Sequence, residues 1–280
     1  MDFLKQIELI ASDLDGTLLN KAKQIPSYSA AVFEQLRSNG HHMVLATGRH
    51  LLDARVKAEC AGVSSHFICA NGAQVFTSQG ELVAEHYIAA DLVADIITHA
   101  TQFAGINSNI YTRDHWFISF ETEWLKQNAH QIDLNYQLMN IDQPPTHQVL
   151  KVYFTSITGS LSVLSELERS LHDRFADQLS ICFSSPQCLE VMASGVSKLS
   201  GLHSLCEHLD VDIKRTLAFG DGMNDIEILS GAGKGVLMGT AANRVKDLLP
   251  DATLIGSCEQ QAVANYLEAN LLHGETENDN

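Results

Sequence analysis

Three short apolar runs in this chain each stop at a cluster of acidic or hydroxylated residues. Residues 7–12 run into Asp13-Leu14-Asp15-Gly16-Thr17-Leu18, residues 43–46 into Thr47-Gly48-Arg49, and residues 217–219 into Gly220-Asp221-Gly222-Met223-Asn224-Asp225. Strands that are apolar along their whole length are buried on both faces, which requires helices above and below them. Helix-periodic stretches stand where they are needed: 27–39, with Ser27 as the expected N-cap and Gly40 as the stop, then 53–61 and 198–209. The alternation predicts an α/β fold, a Rossmann-like parallel sheet wrapped by helices. In such a sheet ligands bind beyond the carboxyl ends of the strands, so three clusters far apart in the chain converge on one crevice.

The pattern continues with a strand at 67–70, a turn at Asn71-Gly72 and a hairpin strand at 73–76. Residues 85–185 then read as a separate mixed block. It has helices at 92–103, 121–130 and 161–174, short strands at 106–111, 116–119 and 150–155, and the Pro144-Pro145 pair in an internal loop. From 186 onward strand and helix alternate again, with strands at 235–238 and 252–255, helices at 242–248 and 262–271, and a polar tail at 274–280. The expected organisation is a core built from residues 1–84 and 186–280, with an inserted α/β domain at 85–185.

Composition narrows the function classes. At 45% hydrophobic and 19% charged, the 280 residues can bury a core and lack the make-up of a disordered chain. Eighteen Lys and Arg against 34 Asp and Glu leave a formal charge of −16, the wrong sign for a nucleic-acid backbone. No apolar run approaches the roughly 18 residues of a membrane span, and residues 1–5 lack the basic-then-apolar pattern of an export signal. Cys60, Cys69, Cys182, Cys188, Cys206 and Cys258 show neither metal-finger nor C-x-x-C spacing and read as reduced thiols in the cytoplasm. No sequence feature points to an obligate protein partner.

A lone Asp at a strand–helix turn is most often an N-cap. Asp13 and Asp15 together with Asp221 and Asp225 are too many acids for that role. Four carboxylates in one crevice repel one another by several kcal/mol at an intermediate dielectric, so the cluster calls for a cation. The donors are all oxygen, which selects a hard divalent ion, Mg²⁺ first, with positions left for water and a phosphate oxygen. Such an ion also lets an acidic chain handle an anionic substrate.

In order, Asp13-Leu14-Asp15-Gly16-Thr17, Thr47-Gly48-Arg49, Lys198 and Gly220-Asp221-Gly222-Met223-Asn224-Asp225 resemble the four motifs of the haloacid dehalogenase superfamily, over nearly the whole chain. The long insertion before Lys198 is similar to that of the Cof-type branch, which carries an α/β cap. Asn71-Gly72, Cys188-Leu189-Glu190-Val191, and Ile255-Gly256 followed by Gln261-Ala262-Val263 also resemble that branch. The resemblance implies a Mg²⁺-dependent phosphatase of small phosphorylated metabolites, among them thiamin-pathway pyrimidine pyrophosphate (HMP-PP) and pyridoxal phosphate.

The resemblance also implies roles. Asp13 would be the nucleophile that becomes an aspartyl phosphate, and Asp15 the general acid and base. Thr47 and Lys198 would hold the phosphoryl oxygens. Mg²⁺ would sit on Asp13, the Asp15 carbonyl and Asp221, with Asp225 acting through water or by orienting Lys198. Gly16, Gly48, Asn71 and Asn224 complete the phosphate-binding set. Asp15 argues against carbon–halogen cleavage, because the family's dehalogenases lack it. Two positions depart from the pattern: Leu199 stands where Gly is usual, and Thr240 where Asn is usual. A phosphomutase and a non-catalytic module binding a phosphorylated metabolite are the alternative functions.

Weaker signals have bland readings. Arg49 reads equally as a phosphate contact or an ion pair and stays outside the catalytic set. Trp116, beside Asp114 and His115, reads as packing rather than substrate stacking. His41, His42 and His50 lack metal spacing and read as packed or solvated.

Overall fold

A computed structural model describes residues 3–128 and 134–272. The tail expected at 274–280 and the end of the helix expected at 121–130 lie outside the described residues. The strands, in chain order, are β1 (Leu9–Ser12), β2 (His42–Ala46), β3 (His66–Cys69), β4 (Gln74–Phe76), β5 (Leu82–Glu85), β6 (Ile106–Thr112), β7 (Trp116–Ile118), β8 (Tyr136–Leu138), β9 (Val149–Ser156), β10 (Leu179–Ser185), β11 (Cys188–Ala193), β12 (Thr216–Gly220), β13 (Lys234–Met238) and β14 (Thr253–Ile255). The α-helices are α1 (Ser27–Ser38), α2 (Leu51–Cys60), α3 (Ala90–Ala100), α4 (Glu123–Asn128), α5 (Leu161–Phe175), α6 (Lys198–Leu209), α7 (Ile226–Gly231), α8 (Asn243–Leu248) and α9 (Ala262–Leu267).

One sheet runs β14-β13-β12-β1-β2-β3-β4-β5, parallel from β14 to β3 and antiparallel through β4 and β5. The inner strands β1 to β4 and β12 are almost wholly buried while the edge strands β5 and β14 are partly exposed, and the buried side chains divide by alternation. Ile10, Met43, Leu45, Leu217 and Phe219 pack with α1, α2 and α9, whereas Leu9, Ala11, Val44, Ala218 and Leu237 pack with α6, α7 and α8. This is the three-layer α/β architecture that the apolar strands predict. A second sheet runs β10-β11-β9-β6-β7-β8 and is mostly antiparallel. Helices α3 and α5 cover one of its faces through Val93, Ile96, Ile97, Leu164, Leu167 and Leu171.

The structure differs from the expectations at defined points. Pro26, with extended backbone, occupies the N-cap of α1, and Ser27 is the first helical residue. Strand β11 pairs with both β10 and β9, so a boundary at 185/186 falls inside a hairpin and the second sheet extends to Ala193. Strands β5, β8, β10 and β11 and the short helix α7 have no counterpart in the sequence expectations. The last helix is α-helical only to Leu267 and continues as a wider turn to Leu272.

Helix α6 lies close on β3 and β4 because two glycines meet there. A Cβ on Gly201 would come 2.7 Å from Ile68 and 3.2 Å from the Gly72 Cα, and one on Gly72 would come 2.1 Å from the Ser197 carbonyl. Gly72 also has φ +100°, a conformation that side-chain-bearing residues avoid. Gly201→Val therefore overpacks this contact and is expected to cost about 2–3 kcal/mol in a denaturant unfolding experiment. A loss under about 0.5 kcal/mol, the range of surface substitutions, would show that α6 can shift freely.

Candidate active site

Parallel pairing of β1 with β12 puts their carboxyl ends side by side: Ser12 is opposite Phe219, and the Asp13 amide donates to the Phe219 carbonyl at 3.0 Å. Asp13 and Asp221 therefore leave adjacent strands at the same edge. After Asp13 the chain turns through Gly16 at φ +81°, where a Cβ would stand 2.3 Å from Asp221 Oδ2. Only glycine lets the first acidic loop approach the second this closely. Thr17 then donates its hydroxyl to Asp221 Oδ1 at 3.0 Å.

Lys198 is the first residue of α6, behind a Ser197–Ser200 capping box that fixes the helix start. Its side chain is fully buried, and Nζ donates to Asp13 Oδ1 and to Asp225 Oδ1, each at 2.6 Å. Asp225 Oδ2 accepts from the amides of Asp221 and Gly222 at 3.0 and 2.9 Å, so both of its oxygens are engaged. Burial works against the Lys198 charge, but Asp13 and Asp225 outweigh it and raise the ammonium above its ordinary value. Leu199, the departure from the family pattern, packs on Gly231, where a Cβ would come 2.5 Å from its side chain.

Carboxylate oxygens of Asp13, Asp221 and Asp225 lie within 4.8 Å of one another. Burial pushes the Asp13 carboxyl well up, with Asp225 and Asp221 adding to the effect and Lys198 opposing it. Asp221 is pushed up to about 6, by burial first and then by the charge of Asp225. An all-oxygen donor set under this electrostatic pressure fits a hard divalent cation. Asp13 and Asp221 could hold it.

Asp15 has a different environment. Arg49 Nε and Nη2 donate to its two oxygens at 2.6 and 2.9 Å, and Lys23 Nζ adds a third contact at 2.6 Å. Burial alone would raise this carboxyl, but the Arg49 hydrogen bonds and charge, with help from Lys23, hold it well below the usual carboxylate range. Arg49 is also paired with Asp53. The arginine is thus an ion pair at the site itself.

A cavity of about 290 Å³ opens between the two sheets. Asp13, Asp15, Thr47, Gly48, Asp221, Asn224 and Asp225 line it from the first sheet's loops, while Ser184, Ser185 and Glu190 come from the second sheet. Lys198, Gly16 and Asn71 stand outside this wall and touch lining residues instead. The sequence reading missed Thr17, Lys23, Lys151 and the pocket-facing role of Glu190, although Glu190 lies in a stretch quoted for the resemblance. The bland readings hold elsewhere. Trp116 is buried and donates Nε1–H to Asn109 Oδ1. His50 caps α2 by accepting from the Leu52 amide at Nδ1, so Nε2 carries the proton and donates to the Thr112 carbonyl.

Residues 10–267 match the family of haloacid dehalogenase-like hydrolases. The chain belongs to that family, and the α/β fold expected from the sequence stands with it. The HMP-PP phosphatase of Serratia proteamaculans is 34% identical over 261 residues, which cover 93% of this chain and 94% of that protein. The HMP-PP phosphatase of Cronobacter sakazakii is also 34% identical, over 92% of this chain and 93% of its own length. A haloacid dehalogenase-like hydrolase structure from B. subtilis superimposes with a TM-score of 0.82 at 24% identity, over 94% of this chain and 99% of that one, and so shares the fold. The chain is an enzyme of the phosphatase kind, and no helix among the described residues is long and apolar enough to cross a membrane.

The raised Asp221 carboxyl gives a pH test. The folded, metal-free chain keeps a proton on Asp221 up to about pH 6, whereas the unfolded chain releases it near about pH 4. Folded chains then bind the extra proton between those values, so this group makes stability fall as pH rises from about 4 to about 6. Asp221→Asn removes that loss. In calorimetry with chelator, the variant should be more stable than the wild type near about pH 7.5 and gain nothing below about pH 4. An equal gain at both ends would assign the effect to something other than Asp221 ionisation.

Proposed function

We propose that this chain is a Mg²⁺-dependent phosphohydrolase of small phosphorylated metabolites, working through an aspartyl phosphate on Asp13. The carrying observation is that Lys198 fixes one oxygen of Asp13 at 2.6 Å while Asp13 lines the cavity beside Thr47 and Asn224. Asp13 is thus oriented by a buried cation, and a nucleophile on a short rigid strand end needs no further ordering to reach phosphorus. The six-stranded sheet with α3 and α5 serves as the cap that closes the crevice. When bound, Mg²⁺ supplies charge neutralisation between the Asp13 and Asp221 carboxylates and the phosphate.

In the first half-reaction an Asp13 carboxylate oxygen bonds to phosphorus as the bond to the leaving oxygen breaks. Lys198 and the Thr47 hydroxyl offset charge on the phosphoryl oxygens. In the second, water attacks the aspartyl phosphate, Asp15 takes its proton, and Asp13 is regenerated with release of inorganic phosphate. Asp225 acts by orienting Lys198, since its two oxygens are committed to that lysine and to two amides.

The paired cations on Asp15 bear on the substrate. Arg49 and Lys23 keep this carboxylate ionised, so it carries no proton to give to a leaving group. A leaving group that departs as a phosphate needs little protonation. A pyrophosphate monoester such as HMP-PP, the substrate named for the relatives, therefore fits better than an ester with an alkoxide leaving group. Pyridoxal phosphate is the second choice. The free thiols fit a reducing compartment, and we place the reaction in the cytoplasm.

Purified protein with Mg²⁺ should release inorganic phosphate from HMP-PP without any acceptor, at a kcat/KM above that for p-nitrophenyl phosphate. Asp13→Asn should lower both by roughly 1,000-fold or more, because the covalent route is lost. Phosphate release that requires a sugar acceptor would instead make the chain a mutase, and silence on every ester would make it a binding module.

A further inference from the structure

We propose that Lys151 is a positioning residue for the Thr47-Gly48-Arg49 turn, and that its buried pair with Glu190 is the joint through which the second sheet sets the geometry of that turn. The proposal rests on the functional reading above only in taking this turn as the phosphate-binding one.

Lys151 on β9 and Glu190 on β11 belong to the second sheet, yet both are almost fully buried against the first. Lys151 Nζ donates to Glu190 Oε1 at 2.6 Å and, across the boundary between sheets, to the Gly48 carbonyl at 2.5 Å. The rings of Tyr111 and Tyr153 stand 5.0 Å from the same nitrogen and close off its remaining side. The opposing pull of burial does not discharge the lysine, since Glu190 holds it above its ordinary value. Its ammonium is a fixed charge with a fixed direction.

Glu190 extends the joint. Its Oε2 accepts from Asn71 Nδ2 at 2.5 Å, and Asn71 Oδ1 accepts from Asn224 Nδ2 at 3.1 Å. The Asn71 amide in turn donates to the Thr47 carbonyl at 3.0 Å. One ion pair thereby ties together Thr47-Gly48, Asn71 and the loop that carries Asp221 and Asp225. The fit is close: a Cβ on Gly48 would stand 3.0 Å from Asn71 Oδ1 and 3.1 Å from Glu190 Oε2. A buried pair that served stability alone would need no third bond to a backbone carbonyl of the other sheet. A hydrophobic pair of similar volume often does as well.

Three variants separate positioning from packing. Lys151→Met leaves the Glu190 carboxylate buried without its cation, so it loses stability and activity together. Glu190→Gln keeps Lys151 on the Gly48 carbonyl and one oxygen for Asn71, but it turns the amide nitrogen toward the Lys151 ammonium and leaves that buried charge uncompensated; it too loses stability, and it sets the baseline with the Gly48 anchor intact. Lys151→Met combined with Glu190→Gln has no buried charge and lacks only the Gly48 anchor. Its thermal stability should equal or exceed the baseline, while its kcat on p-nitrophenyl phosphate stays at least roughly 10-fold below with KM within about 3-fold. Hydrogen exchange on the metal-free proteins should show amides 47–49 and 70–72 opening roughly 10-fold faster in the double variant, with β1 unchanged.

The exchange measurement needs no turnover, so a chain that hydrolyses nothing sinks the functional reading and still tests this one. Equal exchange in the double variant and the baseline would overturn the proposal. So would a double variant that cannot fold where Glu190→Gln does, because the pair would then be a folding element.

Discussion

A lysine without solvent contact, held between two carboxylates, is the constraint on which the rest of the molecule depends. Removing Lys198 from water is costly and is offset only by near-ideal contacts, here 2.6 Å to Asp13 and 2.6 Å to Asp225. Those contacts require three things at once. The start of α6 must be fixed, which the Ser197–Ser200 capping box does. The helix must lie close on β3 and β4, which Gly72 and Gly201 allow. The ends of β1 and β12 must also be adjacent, which parallel register supplies. Loss of any one leaves a buried charge uncompensated, so the fold and the site are specified by the same few residues.

The acids were legible in the sequence because each sits at the end of an apolar strand, where burial pattern and polar cluster meet within a few residues. Convergence then follows from sheet topology, and the close approach of Gly16 to Asp221 confirms it in atomic terms. Lys198 came from motif order, since a lysine at a helix start has many ordinary uses. Lys151 and Glu190 were not legible as a pair. In a strand they resemble solvent-facing positions, and only the stacking of one sheet on the other buries them. The 185/186 position lies within a hairpin for a related reason: Ser184-Ser185-Pro186-Gln187 has the polar, proline-bearing make-up of a linker, yet it closes the hairpin of β10 and β11.

Global and local charge point in opposite directions, and the local arrangement governs the chemistry. Of 18 basic residues, four (Lys23, Arg49, Lys151 and Lys198) are gathered around one cavity in a chain of formal charge −16. Each is bound to a carboxylate, so the cluster adds little net charge. It supplies direction instead. Lys198 orients the Asp13 carboxylate proposed to attack, Lys151 the backbone of the turn proposed to bind phosphate, and Arg49 with Lys23 the carboxylate proposed to handle protons.

The two fully desolvated lysines differ in what they fix, and this explains why both charges are retained where apolar side chains would pack. Lys198 joins residues of one sheet and its helix, so its geometry persists whatever the second sheet does. Lys151 reaches from the second sheet to a carbonyl of the first, so its bond exists only when the two are closed on each other. An apolar contact between the sheets would hold them together but would tolerate sliding, because dispersion has little directional preference. A 2.5 Å bond to one carbonyl does not. In the proposed reaction, closure and the alignment of the Thr47-Gly48 turn thus become a single event, so that substrate would meet a complete set of phosphate contacts only after water has been excluded.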